Sequence, residues 1–169
     1  LEHSADINKE DKYGDTPLSY ACTSGNVDLV KYLVETCKAD FNKENRYGKT
    51  PLFYACRSDN VDLVKYLIEY GADVNKVENR EGLTFLHLAC FGGHENIVKY
   101  LVETRKADVN KEDEVGETPL FKACYSGHES IVKYLVETCK ADVNKEDVVG
   151  ETPLFYACRK GNESIVKYL

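Results

Sequence analysis

The chain has 169 residues, 43% of them hydrophobic, which is enough for one compact domain or one short repeat array. Acidic residues number 29 against 22 basic ones, a net charge of −7, so neither nucleic acid nor an anionic membrane is the expected partner, because both select a cationic face. No apolar run approaches the ~18 residues of a spanning helix, so no membrane insertion is expected.

From the N-terminus onward, one pattern returns five times. Thr16-Pro17-Leu18 recurs at a 34-residue step as Thr50-Pro51-Leu52, Thr84-Phe85-Leu86, Thr118-Pro119-Leu120 and Thr152-Pro153-Leu154. Gly14, Cys22 and the run from Lys31 keep the same step as far as Gly150, Cys158 and Lys167. Repeats are therefore expected to start near 11, 45, 79, 113 and 147, after a partial unit at 1–10, with the last unit truncated and all of 1–169 forming a single array.

Each repeat reads as a hairpin-like loop followed by two antiparallel helices. Threonine before proline starts the first helix: its hydroxyl can accept from an unpaired N–H, and proline at the first helical position has no N–H to leave unpaired. In the fourth repeat Leu120, Ala123 and Cys124 make one buried stripe at helical spacing, Gly127 breaks the helix, and Ile131, Val132, Leu135 and Val136 make the stripe of the second helix. Glu95–Lys99, Glu129–Lys133 and Glu163–Lys167 place acid four residues before base, as on a solvated helix face.

The pattern Asp-x-x-Gly-x-Thr-Pro-Leu-x-x-Ala-Cys-x-x-Gly, then Ile-Val-Lys-Tyr-Leu-Val-Glu, then Gly71-Ala72-Asp73-Val74-Asn75 resembles the ankyrin repeat over essentially the whole chain. The resemblance implies an all-α solenoid of antiparallel helix pairs with projecting β-hairpin-like loops. It further implies a non-catalytic protein-interaction scaffold with no cofactor. Departures are visible. The histidine usual after Thr-Pro-Leu survives only as His87; Ser19, Phe53, Phe121 and Phe155 replace it, and in the three phenylalanine repeats aromatic packing is expected in place of its polar ties. Three repeats read Thr-Cys-Lys-Ala-Asp or Thr-Arg-Lys-Ala-Asp where a shorter Gly-Ala-Asp is usual, so a left-handed cap is harder to form and the second helix should run about one residue longer there. The repeat containing Gly71 is one residue shorter at that point and one longer at Val77–Gly82. Asn8, Asn42, Asn75, Asn110 and Asn144 are expected to be turn residues.

Comparing the last two repeats with each other finds candidate contact positions. Between 110–135 and 144–169 the differences are Glu114/Val148, Lys122/Tyr156, Tyr125/Arg159, Ser126/Lys160 and His128/Asn162. Lys122, Tyr125 and Ser126 share the side of the first helix away from Leu120. The corresponding first-helix positions add Tyr20, Thr23, Tyr54, Arg57, Leu88 and Phe91, and the hairpin tips add Tyr13, Arg46, Tyr47 and Arg80. Tyr, Arg and Phe are enriched in interface hot spots, and the resemblance places partner contacts on these concave first-helix and tip positions. Tyr32, Tyr66, Tyr100, Tyr134 and Tyr168 do not vary and are read as packing residues.

Seven cysteines without a short-range C-x-x-C pair fit neither a simple disulfide framework nor a zinc knuckle. Cys22, Cys56, Cys90, Cys124 and Cys158 are expected to be buried thiols, Cys37 and Cys139 exposed ones. Free thiols point to a reducing cytoplasmic location. His87, Cys90 and His94 lack the geometry of a nucleophile–base pair, and the scattered histidines lack metal-ligand spacing. The chain begins and ends within the second-helix pattern, so it reads as a slice of a longer array. A structural spacer, spring or filament with head-to-tail self-association is the alternative function.

Overall fold

Each threonine of the repeated motif turns the chain from extended to helical: Thr16, Thr50, Thr84, Thr118 and Thr152 all have extended backbone, and a helix begins at the next residue. The structure, a computed structural model, describes residues 5–78 and 80–169. The first four residues of the expected partial unit at 1–10, and Asn79 at the expected start of the third repeat, lie outside the described residues. First helices run Pro17–Thr23, Pro51–Ala55, Phe85–Gly92, Pro119–Ser126 and Pro153–Lys160. Among the described residues no strand forms, and the chain divides into two units, Leu1–Asn75 and Lys76–Leu169. The former holds the first two repeats, the latter the last three.

Within each unit the first helices of consecutive repeats pack side by side, as do the second helices. Leu18 and Leu52 in one unit, and Leu86, Leu120 and Phe121 in the other, are fully or almost fully buried. Cys22, Cys56, Cys90 and Cys124 are buried beside them as small apolar side chains, and burial pushes the Cys22 and Cys124 thiols up to about 12. Cys158, in the last repeat, departs from the expectation: it is exposed. Cys37 and Cys139 are half-buried rather than exposed, each lying against the tyrosine one turn before it, Tyr32 or Tyr134.

The extra residue near the end of the second helix is absorbed by a change of helix type. In the second repeat the helix is regular, Val61–Tyr70, and ends on Gly71 at φ +119°. In the first, third and fourth repeats it starts as Val27–Lys31, Glu95–Lys99 and Glu129–Lys133 and finishes as a π turn at Tyr32–Thr36, Tyr100–Thr104 and Tyr134–Thr138. The inserted residue widens the last turn, so that Cys37 N–H donates to the Tyr32 carbonyl at 3.1 Å. The closing bond is kept: Ala72 N–H donates to Leu67 O in the regular case, and Ala39 N–H donates to the equivalent Leu33 O in the widened one, both at 2.9 Å. The last helix is Glu163–Tyr168.

A left-handed residue still follows the widened helix, but it is lysine: Lys38, Lys106 and Lys140 have φ of 59°, 57° and 59°. A side chain there costs roughly 1–2 kcal/mol, which glycine avoids at some expense of chain entropy. Lys38→Gly and Lys106→Gly are each expected to stabilise the protein by about 0.5–1 kcal/mol, read as a higher urea midpoint with an unchanged slope.

Repeats within a unit are joined by bonds that recur at the repeat step. Tyr66 Oη donates to Glu35 in the first unit; Tyr134 and Tyr168 donate to Glu103 and Glu137 in the second, at 2.9–3.0 Å. Lys31, Lys99 and Lys133 lie over those same rings at 5.6, 6.0 and 5.7 Å. The unvarying Lys-Tyr pair is therefore an inter-repeat clamp. Asn8 and Asn110 are more than turn residues, since their side chains accept from Asp40 N–H and Asp142 N–H of the next repeat. Asn60 and Asn162 donate back to Gly25 O and Cys124 O, and the His128 ring contacts Phe91 O at 3.1 Å, closing the first-helix end of the preceding repeat. These side chains cross the terminal glycines so closely that a Cβ on Gly127, already at φ +81°, would meet Asn162 at 2.9 Å.

Candidate protein-binding surface

The loop before each first helix is built around one acceptor. Asp11, Asp113 and Asp147 each accept two backbone N–H bonds across their own tip, and Asn45 does the same with its amide oxygen. In the third repeat, where the loop is one residue longer, the acceptor is the longer Glu78, whose carboxylate takes Glu81 N–H at 2.6 Å. Neighbouring tips are joined by single backbone bonds: Arg46 N–H to Tyr13 O, Glu114 N–H to Glu81 O, and Val148 N–H to Val115 O, each 3.0 Å.

The first turn of the first helix lies against this loop, and the residue nine positions after the loop acceptor bonds to it. Tyr20 Oη donates to Asp11 at 2.8 Å, and Tyr54 Oη to Asp15 at 2.7 Å while accepting from Asn45. Tyr156 Oη shares its one proton between Asp147, at 2.9 Å, and Glu117 of the preceding repeat. Lys122 reaches Asp113 at 2.7 Å and also Glu117. Burial and the acceptors Asp15, Glu117 and Asp147 push the Tyr54 and Tyr156 hydroxyls up. Burial raises and the N–H donors plus Tyr156 lower Asp147, with lowering the net result. Burial alone would lower Lys122, but its two carboxylate partners leave it raised.

This geometry revises part of the candidate set. Lys122 is not an open contact position; its side chain is 17% exposed and enclosed by two carboxylates. Leu88, with no polar group to offer the loop, is buried at 8% exposure. Tyr54 and Tyr156 are half-buried and held by bonds within their own units, whereas Tyr20 stays exposed despite its bond to Asp11.

One turn further along the helix the loop no longer covers the surface. Phe91 and Tyr125 are 50% and 37% exposed, and their rings stack at 6.1 Å and 22°. Tyr156 adjoins Tyr125 at 6.3 Å, Lys160 Nζ stands 4.0 Å over the Tyr125 ring, and Arg159 lies 5.2 Å over Tyr156 while pairing with Glu151. The Tyr156–Asp147 and Arg159–Glu151 bonds bring the fifth hairpin to this same side, and its tip carries Val148 and Val149, 70% and 73% exposed. Ser126 and the tip residue Glu114 are half-buried and exposed respectively. The second unit thus carries an open aromatic row with a cationic end.

A family model for ankyrin repeats (three copies) matches residues 1–78, 37–113, 75–147 and 105–169. The chain belongs to the ankyrin-repeat family. No curated protein matches it. Ankyrin repeats are generally protein–protein interaction modules and are typically non-catalytic. None of the described helices of this ankyrin-repeat chain is long and apolar enough to cross a membrane.

In the first ankyrin unit the candidate residues take a different form. Tyr13 is exposed with Lys12 over its ring at 4.7 Å, Thr23 bonds its own helix at Ser19 O, Arg46 and Arg57 are exposed, and Tyr47 is half-buried with Lys49 at 5.6 Å. Arg80, in the second unit, is exposed. What residue comparison missed is the role of His128 and Asn162. They differ in type, yet both reach back to a carbonyl at the end of the preceding first helix. The available signal was that both are polar side chains able to donate at the same repeat position.

Proposed function

We propose that this protein is a non-catalytic scaffold that binds a protein partner, and that in its second unit the Phe91–Tyr125 row with Lys160 is the contact surface. The observation that carries this is the stack itself. Two large rings lie open to solvent in parallel, held by helices whose buried faces are closed, so a partner gains aromatic area without ordering the receptor. The tip of the fifth hairpin supplies apolar rim residues, Val148 and Val149. In the first unit Tyr13, Tyr20, Arg46 and Arg57 offer a second, more basic set.

The test is a comparative pull-down with the chain, with the Phe91→Ala/Tyr125→Ala variant, and with Tyr134→Ala, which breaks a clamp on the second helix. Proteins retained by the wild type and by Tyr134→Ala should be lost from the double alanine, which is expected to weaken binding by about 2 kcal/mol or more. Equal retention by the double alanine and the wild type removes the aromatic row from the binding surface.

A further inference from the structure

We propose that the corner formed by Phe91, Tyr125 and Lys160 takes a protein segment in which a carboxylate side chain stands two or three residues from an apolar one. The inference rests on the binding reading above and names the chemistry of the partner. The two rings are near-parallel with their centres 6.1 Å apart, and the Lys160 ammonium stands 4.0 Å from the centre of the Tyr125 ring. Neighbouring cations are already neutralised: Lys122 by Asp113 and Glu117, and Arg159 by Glu151. Among the described residues no carboxylate pairs with Lys160, whose partner is a ring.

An ammonium held over an aromatic face, with no counter-ion, adds a site for one anionic group beside an apolar platform. A carboxylate suits it better than a phosphate, because a doubly charged group calls for several cations or an arginine fork, and Arg159 is occupied. The chain as a whole carries −7, so a broadly acidic partner is repelled and the attraction is local to this corner. An apolar side chain seated on the rings and a carboxylate at Lys160 lie within about 10 Å, which two or three residues of extended chain span at ~3.3 Å each.

The experiment selects a displayed library of random short peptides on the intact chain and measures the selected peptides against variants. Peptides carrying Asp or Glu two or three residues from an aliphatic, aromatic or proline residue should be enriched. Lys160→Glu should weaken them by about tenfold or more, Lys160→Arg should not, and changing the peptide's acid to lysine should restore binding to Lys160→Glu. Selected peptides without an acid, indifference to Lys160→Glu, or a library that yields no binder overturns the inference. Acid-free peptides that are still weakened by Phe91→Ala sink this inference and leave the aromatic contact surface standing. Peptides indifferent to both Phe91→Ala and Tyr125→Ala count against that surface itself.

Discussion

Lys122→Ala should destabilise the second unit by about 3 kcal/mol, although residue comparison places Lys122 among open surface positions. Its ammonium sits between Asp113, whose side chain is 2% exposed, and Glu117 at 13%. Removing the cation leaves two carboxylates close together in a poorly solvated place. Asp113 keeps two backbone N–H donors, and Glu117 keeps the Tyr156 hydroxyl, so neither is stripped of hydrogen bonds. The loss is therefore mainly the uncompensated charge, at the lower end of the roughly 3–5 kcal/mol seen when one member of a buried pair is deleted. For a chain of this size that lowers the melting temperature by about 6–12 °C. Lys122→Met, which keeps most of the stem, should fall nearly as far, whereas Lys122→Tyr should fall less, because Tyr156 makes the equivalent bond to Asp147 in the next repeat. A cycle combining Lys122→Met with Glu117→Gln measures the coupling directly; a coupling energy near zero would mean that the pair is no more than a surface contact.

The reason Lys122 is misplaced by sequence reasoning shows where such reasoning stops. Helical spacing correctly puts Lys122, Tyr125 and Ser126 on the side away from Leu120, which is buried. What spacing does not contain is the loop preceding the helix, which covers its first turn and leaves its last turn open. Hence Lys122 and Tyr156 are tied to loop acids while Tyr125 and Phe91 remain open, though all four lie on one side of their helices. A co-occurrence was nevertheless available: the acceptors Asp11, Asn45, Asp113 and Asp147 all precede a Tyr or Lys by nine residues.

The architecture was more legible than the surface. The 34-residue step, the Thr-Pro helix starts and the buried Leu and Cys stripe are dictated by local backbone chemistry and burial, so they survive in the sequence as repeated letters. The extra residue before Ala39, Ala107 and Ala141 was visible too, but its consequence was not. A longer α-helix would rotate the alanine away from its leucine carbonyl, and a π turn holds that bond in place. The left-handed lysines follow from the same constraint, because tertiary packing overrides a local preference for glycine. The aromatic packing expected where phenylalanine replaces histidine joins repeats at Phe121, which meets the Tyr156 ring edge-on at 5.2 Å, whereas Phe53 meets only its neighbour Tyr54 and Phe155 is 53% exposed. The replacement at Phe121 leaves a polar remainder, however: Thr118 Oγ1 is buried without a partner among the described residues.

Acid should destabilise the second unit through His87, the one repeat that keeps histidine where its siblings have phenylalanine or serine. The ring is fully buried. Its Nδ1 accepts Thr84 N–H at 3.2 Å, so the ring proton belongs on Nε2, which donates to Glu117 O of the next repeat at 3.0 Å. Protonating Nδ1 would set a second donor against Thr84 N–H and bury a charge. Burial is the larger cause and the Glu117 carbonyl partly opposes it, lowering the group from 6.5 to about 4. The unfolded chain therefore binds this proton first. The neutral ring's contribution is complete above about 6.5 and is lost as pH falls towards about 4, a total of roughly 3 kcal/mol at ~1.4 kcal/mol per pH unit. Below that range both states are protonated and this source of pH dependence ends. His87→Phe should be less stable at neutral pH, because it removes the ring's bonds to Thr84 and to Glu117 O, but its stability should change less between those two pH values. Urea midpoints across that interval decide it: parallel wild-type and His87→Phe profiles would show that the tie to Glu117 tolerates a charged ring.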